Sequence, residues 1–270
     1  MSEINWETKE SAEWYNQNCT HQFRKGEVLI DMLHIQEGDT ILDLGCGTGQ
    51  QALNVTDKIG SSGRLICVDP SSERIEIAKS KFEKRSENIR FFVGQAEDLS
   101  YISDNSINHA YFCSSFHWVD DKQKALQEVM RVLKPGGTLG MTTPDKDIPG
   151  GMRPILDAVL KKYGISDVQN TRRLLKKVTS EELQVLLHNA GFKDITIDQI
   201  VIPKEENTPG DFMNRFAKGG RLERILKDVP DDVKEDVKQD ILKELQSNEK
   251  MQLNHEHHVS LFTIAAKPQK

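Results

Sequence analysis

A chain of 270 residues is long enough for one large domain, or for a domain with a lid. Its formal net charge of −6 argues against a nucleic-acid binder that relies on a basic surface. No apolar run approaches the length of a membrane span, the start MSEINWETKESAEW has no apolar signal-like core, and Cys19, Cys46, Cys67 and Cys113 show no paired spacing, so the expectation is a reduced, cytoplasmic protein with no membrane partner.

Residues 1–35 are expected to form an N-terminal helical segment. The short apolar run Ile41-Leu42-Asp43-Leu44 then delivers the backbone into Gly45, Gly47 and Gly49. A second apolar run, Arg64 to Val68, ends at Asp69. Strand, glycine-rich turn, helix, strand, acid is the layout of a nucleotide-binding α/β fold. The glycines let the chain turn tightly and approach a ligand with no Cβ in the way. A carboxylate at the tip of the second strand is placed to accept hydrogen bonds from both hydroxyls of a ribose.

The alternation continues. Ser71 to Arg85 reads as a helix, opened by Pro70 and Ser71-Ser72, with Ile75, Ala78 and Phe82 as its buried stripe. Ile89 to Val93 and Ile107 to Cys113 are the next strands, the second leading into Ser114-Ser115-Phe116-His117-Trp118. Asp120 or Asp121 caps a helix carrying Leu126, Val129, Met130 and Leu133, which Pro135-Gly136-Gly137 stops before a strand from Thr138 to Thr142. Strands alternating with helices imply a parallel sheet covered on both faces.

The rhythm then breaks. A helix is expected near Pro154 to Tyr163. Thr179 and Glu182, at capping-box spacing, open another with Leu183, Leu186, Leu187 and Ala190, closed by Gly191. Asp194 to Ile202 reads as strand six. Lys204 to Gly210 is a turn-rich linker, and Asp211 to Ser247 a helical stretch with Phe212 and Phe216, then Val233, Val237, Ile241 and Leu245 at spacings of four. His258 to Lys267 returns as a strand. The division is therefore a core of residues 36–203 and 257–270, with a helical insertion, 204–256, where a lid or acceptor wall would sit.

The spacing of the glycines selects the nucleotide. A dinucleotide fingerprint, G-x-G-x-x-G, would need its third glycine at position 50, which is Gln50. Here the glycines fall at every second position after an acid, Asp43. LDLGCGTGQ resembles motif I of the class I S-adenosylmethionine-dependent methyltransferases. ICVDPS resembles their post-I acid, GQAEDL the turn that binds adenine, LKPGG the turn before strand five, and TSEELQVLLHNAGF with KDITI the helix and strand closing the core. A pyrophosphate seeks a helix N-terminus; S-adenosylmethionine carries an ammonium and a sulfonium instead, so an acid beside the turn suits it. The resemblance implies a Rossmann-like sheet of seven strands, mostly parallel with the last antiparallel, and a helical lid insertion before the last strand.

It also implies roles. Gly45 and Gly47 shape the turn, and Asp43 meets the cofactor's ammonium. Asp69, followed by Pro70, holds the ribose. Ala96 and Glu97 face the adenine, and Ser114 brings its backbone near the methionyl part. SSFHWVDD and THQFRKGEVLID are similar to segments of juvenile hormone acid and trans-aconitate methyltransferases, which methylate carboxylates. That likeness puts Gln22 and Trp118 on an acceptor carboxylate and Arg24 on the cofactor's own. His117 would be a general base for a hydroxyl or amine acceptor, whereas a carboxylate needs none.

Trp14 and Tyr15 read either as an aromatic flap or as a helix anchor. His255, His257 and His258 form H-x-H-H with no companion ligand at defined spacing, so no metal is expected. The partner expected is a small-molecule acceptor, without nucleic acid; the oligomeric state stays open. The alternatives are a module that binds the cofactor without catalysis, methylation of arsenite on cysteines, and a NAD-dependent oxidoreductase.

Overall fold

The computed structural model describes residues 9–83, 88–148, 153–165, 176–202, 226, 229–247 and 259–269. The chain divides into two compact units, one of Met1–Asp145, Lys177–Ile200 and Ser260–Lys270, the other of Lys146–Lys176 and Val201–Val259.

The first unit opens with helices α1 (Lys9–Asn18) and α2 (Thr20–Met32). Strand β1 (Thr40–Leu44), helix α3 (Gln50–Ile59), strand β2 (Arg64–Asp69), helix α4 (Ser72–Phe82) and strand β3 (Ile89–Val93) follow. Then come β4 (Ile107–Cys113), a 3₁₀ turn (Phe116–Trp118), α5 (Lys122–Val132) and β5 (Leu133–Pro144). In the second unit lies α6 (Arg153–Lys162); the chain returns to the first for α7 (Ser180–Asn189) and β6 (Lys193–Val201). After α8 (Lys234–Ser247) of the second unit, β7 (Val259–Ala266) completes the sheet.

The strands make one seven-stranded sheet in the order β3-β2-β1-β4-β5-β7-β6. β1 pairs in parallel with β2 and β4, β2 with β3, and β4 with β5, while β5 and β7 are antiparallel. The Rossmann-like, mostly parallel sheet expected from the sequence is therefore present. Ile41, Leu42, Asp43 and Leu44 of β1 are all buried, the near-continuous burial that a central parallel strand acquires when both faces are covered. Strand order reverses between β1 and β4. In an open α/β sheet the crevice at such a reversal, beyond the carboxyl ends of the strands, is where ligands bind.

Local signals act as their chemistry requires. Ser71 caps α4 by accepting from the Arg74 N–H at 3.2 Å. Of the two candidate acids before α5, Asp121 is the cap, accepting from the Lys124 N–H at 3.0 Å. Thr179 and Glu182 form a reciprocal capping box, with bonds of 3.1 and 3.0 Å. β5 begins earlier than Thr138. Leu133 already pairs with Ile107, and Pro135-Gly136-Gly137 makes an irregularity within the strand, after which His109 pairs with Thr138. Gly136 and Gly137 exchange hydrogen bonds with Lys267 at 3.0 and 2.9 Å, so pairing with the chain's end holds as strand what its composition marks as a break. The core contains fully buried Tyr111, Phe112, Phe116, Phe192 and Phe262.

In the second unit, Val159 and Leu160 of α6 bury with Leu226, Val229 and the Val237 and Ile241 of α8. Val237 and Ile241 sit one helical turn apart, which places them on one face. The Lys162 ammonium and the Tyr163 hydroxyl both donate to the Asp240 carboxylate. Lys204 to Gly210, Phe212, Phe216, His255, His257 and His258 lie outside the described residues.

Candidate functional site

The turn after β1 is shaped by contact as much as by dihedral freedom. Gly45, Gly47 and Gly49 have φ of 75°, 56° and 72°, a region that side chains with a Cβ rarely occupy. A Cβ on Gly45 would stand 2.3 Å from the Cβ of Ser115, whose hydroxyl donates to the Leu44 carbonyl at 2.5 Å. A Cβ on Gly47 would stand 3.3 Å from the ring of Tyr15. The turn thus nests between the end of β4 and helix α1.

Asp69 locks the turn to the tip of β2. One carboxylate oxygen accepts from the Gly47 N–H at 2.8 Å and the other from the Ser71 N–H at 3.0 Å. Each keeps a lone pair, so the group can accept two neighbouring hydroxyls. It is only 3% exposed. Burial raises its pKa, while Arg74 and the two N–H groups pull it back.

Asp43 lies between Cys67 of β2 and Tyr111 of β4 in the register of the sheet and is 2% exposed. The Tyr111 hydroxyl donates to it at 2.7 Å. Burial pushes its carboxyl up to about 7, with the Tyr111 bond opposing and the charge of Asp69 adding to the rise. Ionised carboxyls are costly to bury without a counter-charge, and an ammonium would supply one. The residues present therefore fit a ligand with a cationic end and a vicinal diol. Cys19, Cys46, Cys67 and Cys113 are all free, and burial raises the pKa of each thiol. Nothing here prepares a thiolate, which argues against cysteine-based arsenite chemistry.

The turn after β3 is tied back by the Gly94 N–H, which donates to the Asp69 carbonyl at 3.1 Å. Ala96 is buried. The Oε1 of Glu97 accepts from the N–H groups of Asp120 and Asp121 at 2.9 and 3.2 Å, so one oxygen expected to face adenine braces the approach to α5. Pro70 is exposed. Ser114 has φ of 54°, and its N–H donates to the carbonyl and the hydroxyl of Thr142, leaving its carbonyl as the backbone group to meet a ligand.

Gln22 and Arg24 are half-buried on α2. The Gln22 carbonyl accepts from the Cys113 thiol at 3.4 Å, which sets this helix against the end of β4. The next carbonyl, of Phe23, accepts from Gln51 Nε2 at 2.6 Å, so the turn of α2 that bears Arg24 abuts the start of α3. Trp118 is 39% exposed, His117 only 7%, and their rings lie 5.0 Å apart. Burial, followed by the charges of Lys25, Lys122 and Lys177, holds His117 down at about 3. A base that weak takes a proton poorly from a hydroxyl or amine, so its burial does not favour the general-base role expected of it.

Sequence reasoning missed several residues that build the site. Tyr111 holds Asp43. The Arg74 guanidinium lies 4.4 Å from the centroid of the Tyr15 ring. Asn16 accepts from Gln50 Nε2 through both its carbonyl and its side chain, and Lys81 joins Asn16 to the Thr48 carbonyl. These contacts seat α1 on the glycine turn, so Tyr15 anchors the helix beside the site. A shallow depression lined by Val28, Asp31, Met32, His34 and Ile264 includes none of the site residues.

Residues 41–137 match the family model of a methyltransferase domain. The chain is 28% identical over 178 residues to the ubiquinone/menaquinone biosynthesis C-methyltransferase UbiE of Legionella pneumophila, covering 61% of this chain and 71% of that one. Among solved structures it is similar to Haemonchus contortus phosphoethanolamine N-methyltransferase 2 with phosphomonomethylethanolamine and S-adenosylhomocysteine bound, at 18% identity and a TM-score of 0.63, over 99% of this chain and 59% of that one. It is also similar to the [4+2]-cyclase SpnF, at 22% identity and a TM-score of 0.59, over 92% and 81% of the two chains. These two likenesses show the shared fold.

Proposed function

We propose that this chain is a class I S-adenosylmethionine-dependent methyltransferase that methylates a small-molecule acceptor on a carboxylate. The observation that carries the cofactor half is the pair of buried acids, Asp43 and Asp69, at the ends of adjacent strands around one glycine turn. Asp43 would meet the ammonium and Asp69 the ribose hydroxyls. Arg24 would pair with the cofactor carboxylate, Ala96 and Glu97 would border the adenine, and Ser114 would offer its carbonyl to the methionyl end.

When bound, the cofactor supplies a methyl group activated by a sulfonium. The protein's work is then to align the acceptor and exclude water. Gln22 and Trp118 would orient the acceptor carboxylate. An ionised carboxylate uses its own lone pair and releases no proton, which agrees with a His117 held neutral near 3. A carbon acceptor is the second reading, favoured by the name of the Legionella relative; it would require a proton to leave the acceptor.

The test begins with calorimetry of S-adenosylmethionine and S-adenosylhomocysteine, with NAD as control, and continues with methyl transfer to a panel of carboxylic acids. Binding of the first two and a product that base hydrolyses to methanol are expected. A base-stable methylated product would refute the carboxylate reading, and a failure to bind either nucleotide would refute the cofactor site.

A further inference from the structure

A half-buried arginine ordinarily gives its N–H donors to carboxylates or carbonyls. Arg74, on the first turn of α4, is half-buried and gives none. Its Nε is shut away from solvent with no hydrogen-bond partner, and among the described residues no hydrogen bond or ion pair takes up the rest of the guanidinium. What the group does touch is an aromatic face, with its Cζ 4.4 Å from the centroid of the Tyr15 ring. Stacking fixes the plane of a guanidinium but leaves the donors within that plane unsatisfied.

A ring of contacts sets that plane beside the acid at the tip of β2. The Tyr15 ring stands against the glycine turn, its Cε1 3.3 Å from where a Cβ on Gly47 would be. The Gly47 N–H donates to Asp69 Oδ2 at 2.8 Å, and the Ser71 N–H to Asp69 Oδ1 at 3.0 Å. The Ser71 hydroxyl accepts from the Arg74 N–H at 3.2 Å, which returns the path to its start. Tyr15 is itself held in place, because the neighbouring Asn16 accepts from Gln50 and Lys81. Arg74 and Asp69 thus have fixed places around one turn. The charge of the arginine reaches the carboxyl, yet among the described residues no ion pair joins the two.

We infer that Arg74 is a further cofactor-binding residue, whose guanidinium, held flat against Tyr15, donates to a ribose hydroxyl that in turn donates to Asp69. The inference rests on the assignment of Asp69 to the ribose and adds the group that completes the diol's hydrogen bonds. Each hydroxyl has one hydrogen to give and two lone pairs to fill. An ionised Asp69 can only accept, and Arg74 can only donate. Together they match both halves of a hydroxyl, which neither does alone. Tyr15 is then a positioning residue, since its ring keeps the guanidinium from folding onto the carboxylate and closing the place the ribose takes.

The experiment uses the whole chain and displacement calorimetry with S-adenosylhomocysteine and its 2′-deoxy and 3′-deoxy counterparts. The wild-type protein should lose about tenfold or more in affinity for at least one deoxy ligand. Arg74→Met should weaken S-adenosylhomocysteine by about tenfold and shrink that deoxy penalty at least threefold, because the hydroxyl has already lost one partner. Arg74→Gln, too short to reach across the Tyr15 ring, covers the case in which Arg74→Met fails to fold and should behave in the same way. A merely structural role, acting through the seat of α1, would weaken all three ligands by one common factor. That result, or unchanged S-adenosylhomocysteine affinity in both variants, overturns the role of Arg74 and leaves Asp69 and the cofactor site standing. Failure of the wild-type protein to bind S-adenosylhomocysteine overturns both.

Discussion

Asp43→Asn separates the two duties of a buried acid. In the ligand-free protein, burial moves the carboxyl from its ordinary 3.8 to about 7. Such a difference is on the order of 4 kcal/mol of destabilisation once the group is ionised in both states, taken as an upper bound. The sign follows from proton counting. Between pH 4 and 7 the folded state holds a proton that the unfolded state has lost, so stability falls as pH rises through this window and levels off above it. Asparagine keeps the shape and can still accept from the Tyr111 hydroxyl, but it carries no charge. Guanidinium unfolding of the ligand-free proteins should therefore find Asp43→Asn more stable by roughly 1–4 kcal/mol at pH 8, with the gap shrinking towards pH 4. Affinity for S-adenosylhomocysteine should move the other way, falling about 10- to 100-fold, as expected for losing a charged hydrogen bond. A variant less stable than the wild type at pH 8, or a gap that does not change with pH, would refute the reasoning.

The same linkage predicts proton release. An ammonium beside Asp43 lowers its pKa, so binding S-adenosylhomocysteine at pH 6.5 should eject close to half a proton or more, seen as a calorimetric enthalpy that depends on the buffer, and the dependence should vanish at pH 8.5. Gly45→Ala should destabilise the fold by about 2–4 kcal/mol, from its positive φ and its collision with Ser115. Adding Ser115→Gly should recover part of that loss, and strict additivity in unfolding experiments would count against the contact. Asp69→Asn deprives one of two backbone N–H groups of its acceptor. It should cost about 1–2 kcal/mol of stability and at least tenfold in S-adenosylhomocysteine affinity, and unchanged affinity by calorimetry would remove Asp69 from the site. Thr179→Ala removes the hydroxyl that accepts from the Glu182 N–H, keeps the backbone N–H that donates to the Glu182 carboxylate, and should lower unfolding free energy by about 1 kcal/mol.

The parts of this molecule that could be read from the sequence are those set by short-range rules. A strand ending in alternate glycines, an acid at the tip of the next strand and a Thr-x-x-Glu cap each declare themselves within a few residues. Accordingly β2, β3 and β4 lie where the apolar runs put them, and Asp69 stands at the turn. What could not be read depends on register and on contacts distant in sequence. That Tyr111 faces Asp43 follows only once β1 and β4 are aligned, and 68 positions separate the two. β5 starts before Thr138, although Pro135-Gly136-Gly137 has the composition of a break, because the pairing partner that makes it strand comes from Lys267.

The same distinction explains why the acceptor half is harder to read than the cofactor half. The proposed cofactor half is one continuous strand-turn-helix-strand segment, so its signal lies in local spacing. The proposed acceptor rim takes Gln22 from α2 and His117 and Trp118 from the turn after β4. No local spacing links α2 to that turn, and each residue taken alone reads as an ordinary helix or turn side chain. A shared fold does not supply that information either, since the [4+2]-cyclase SpnF has the same architecture. The reaction a member of this architecture performs has to be read from the side chains around the crevice, which come from elements distant in sequence.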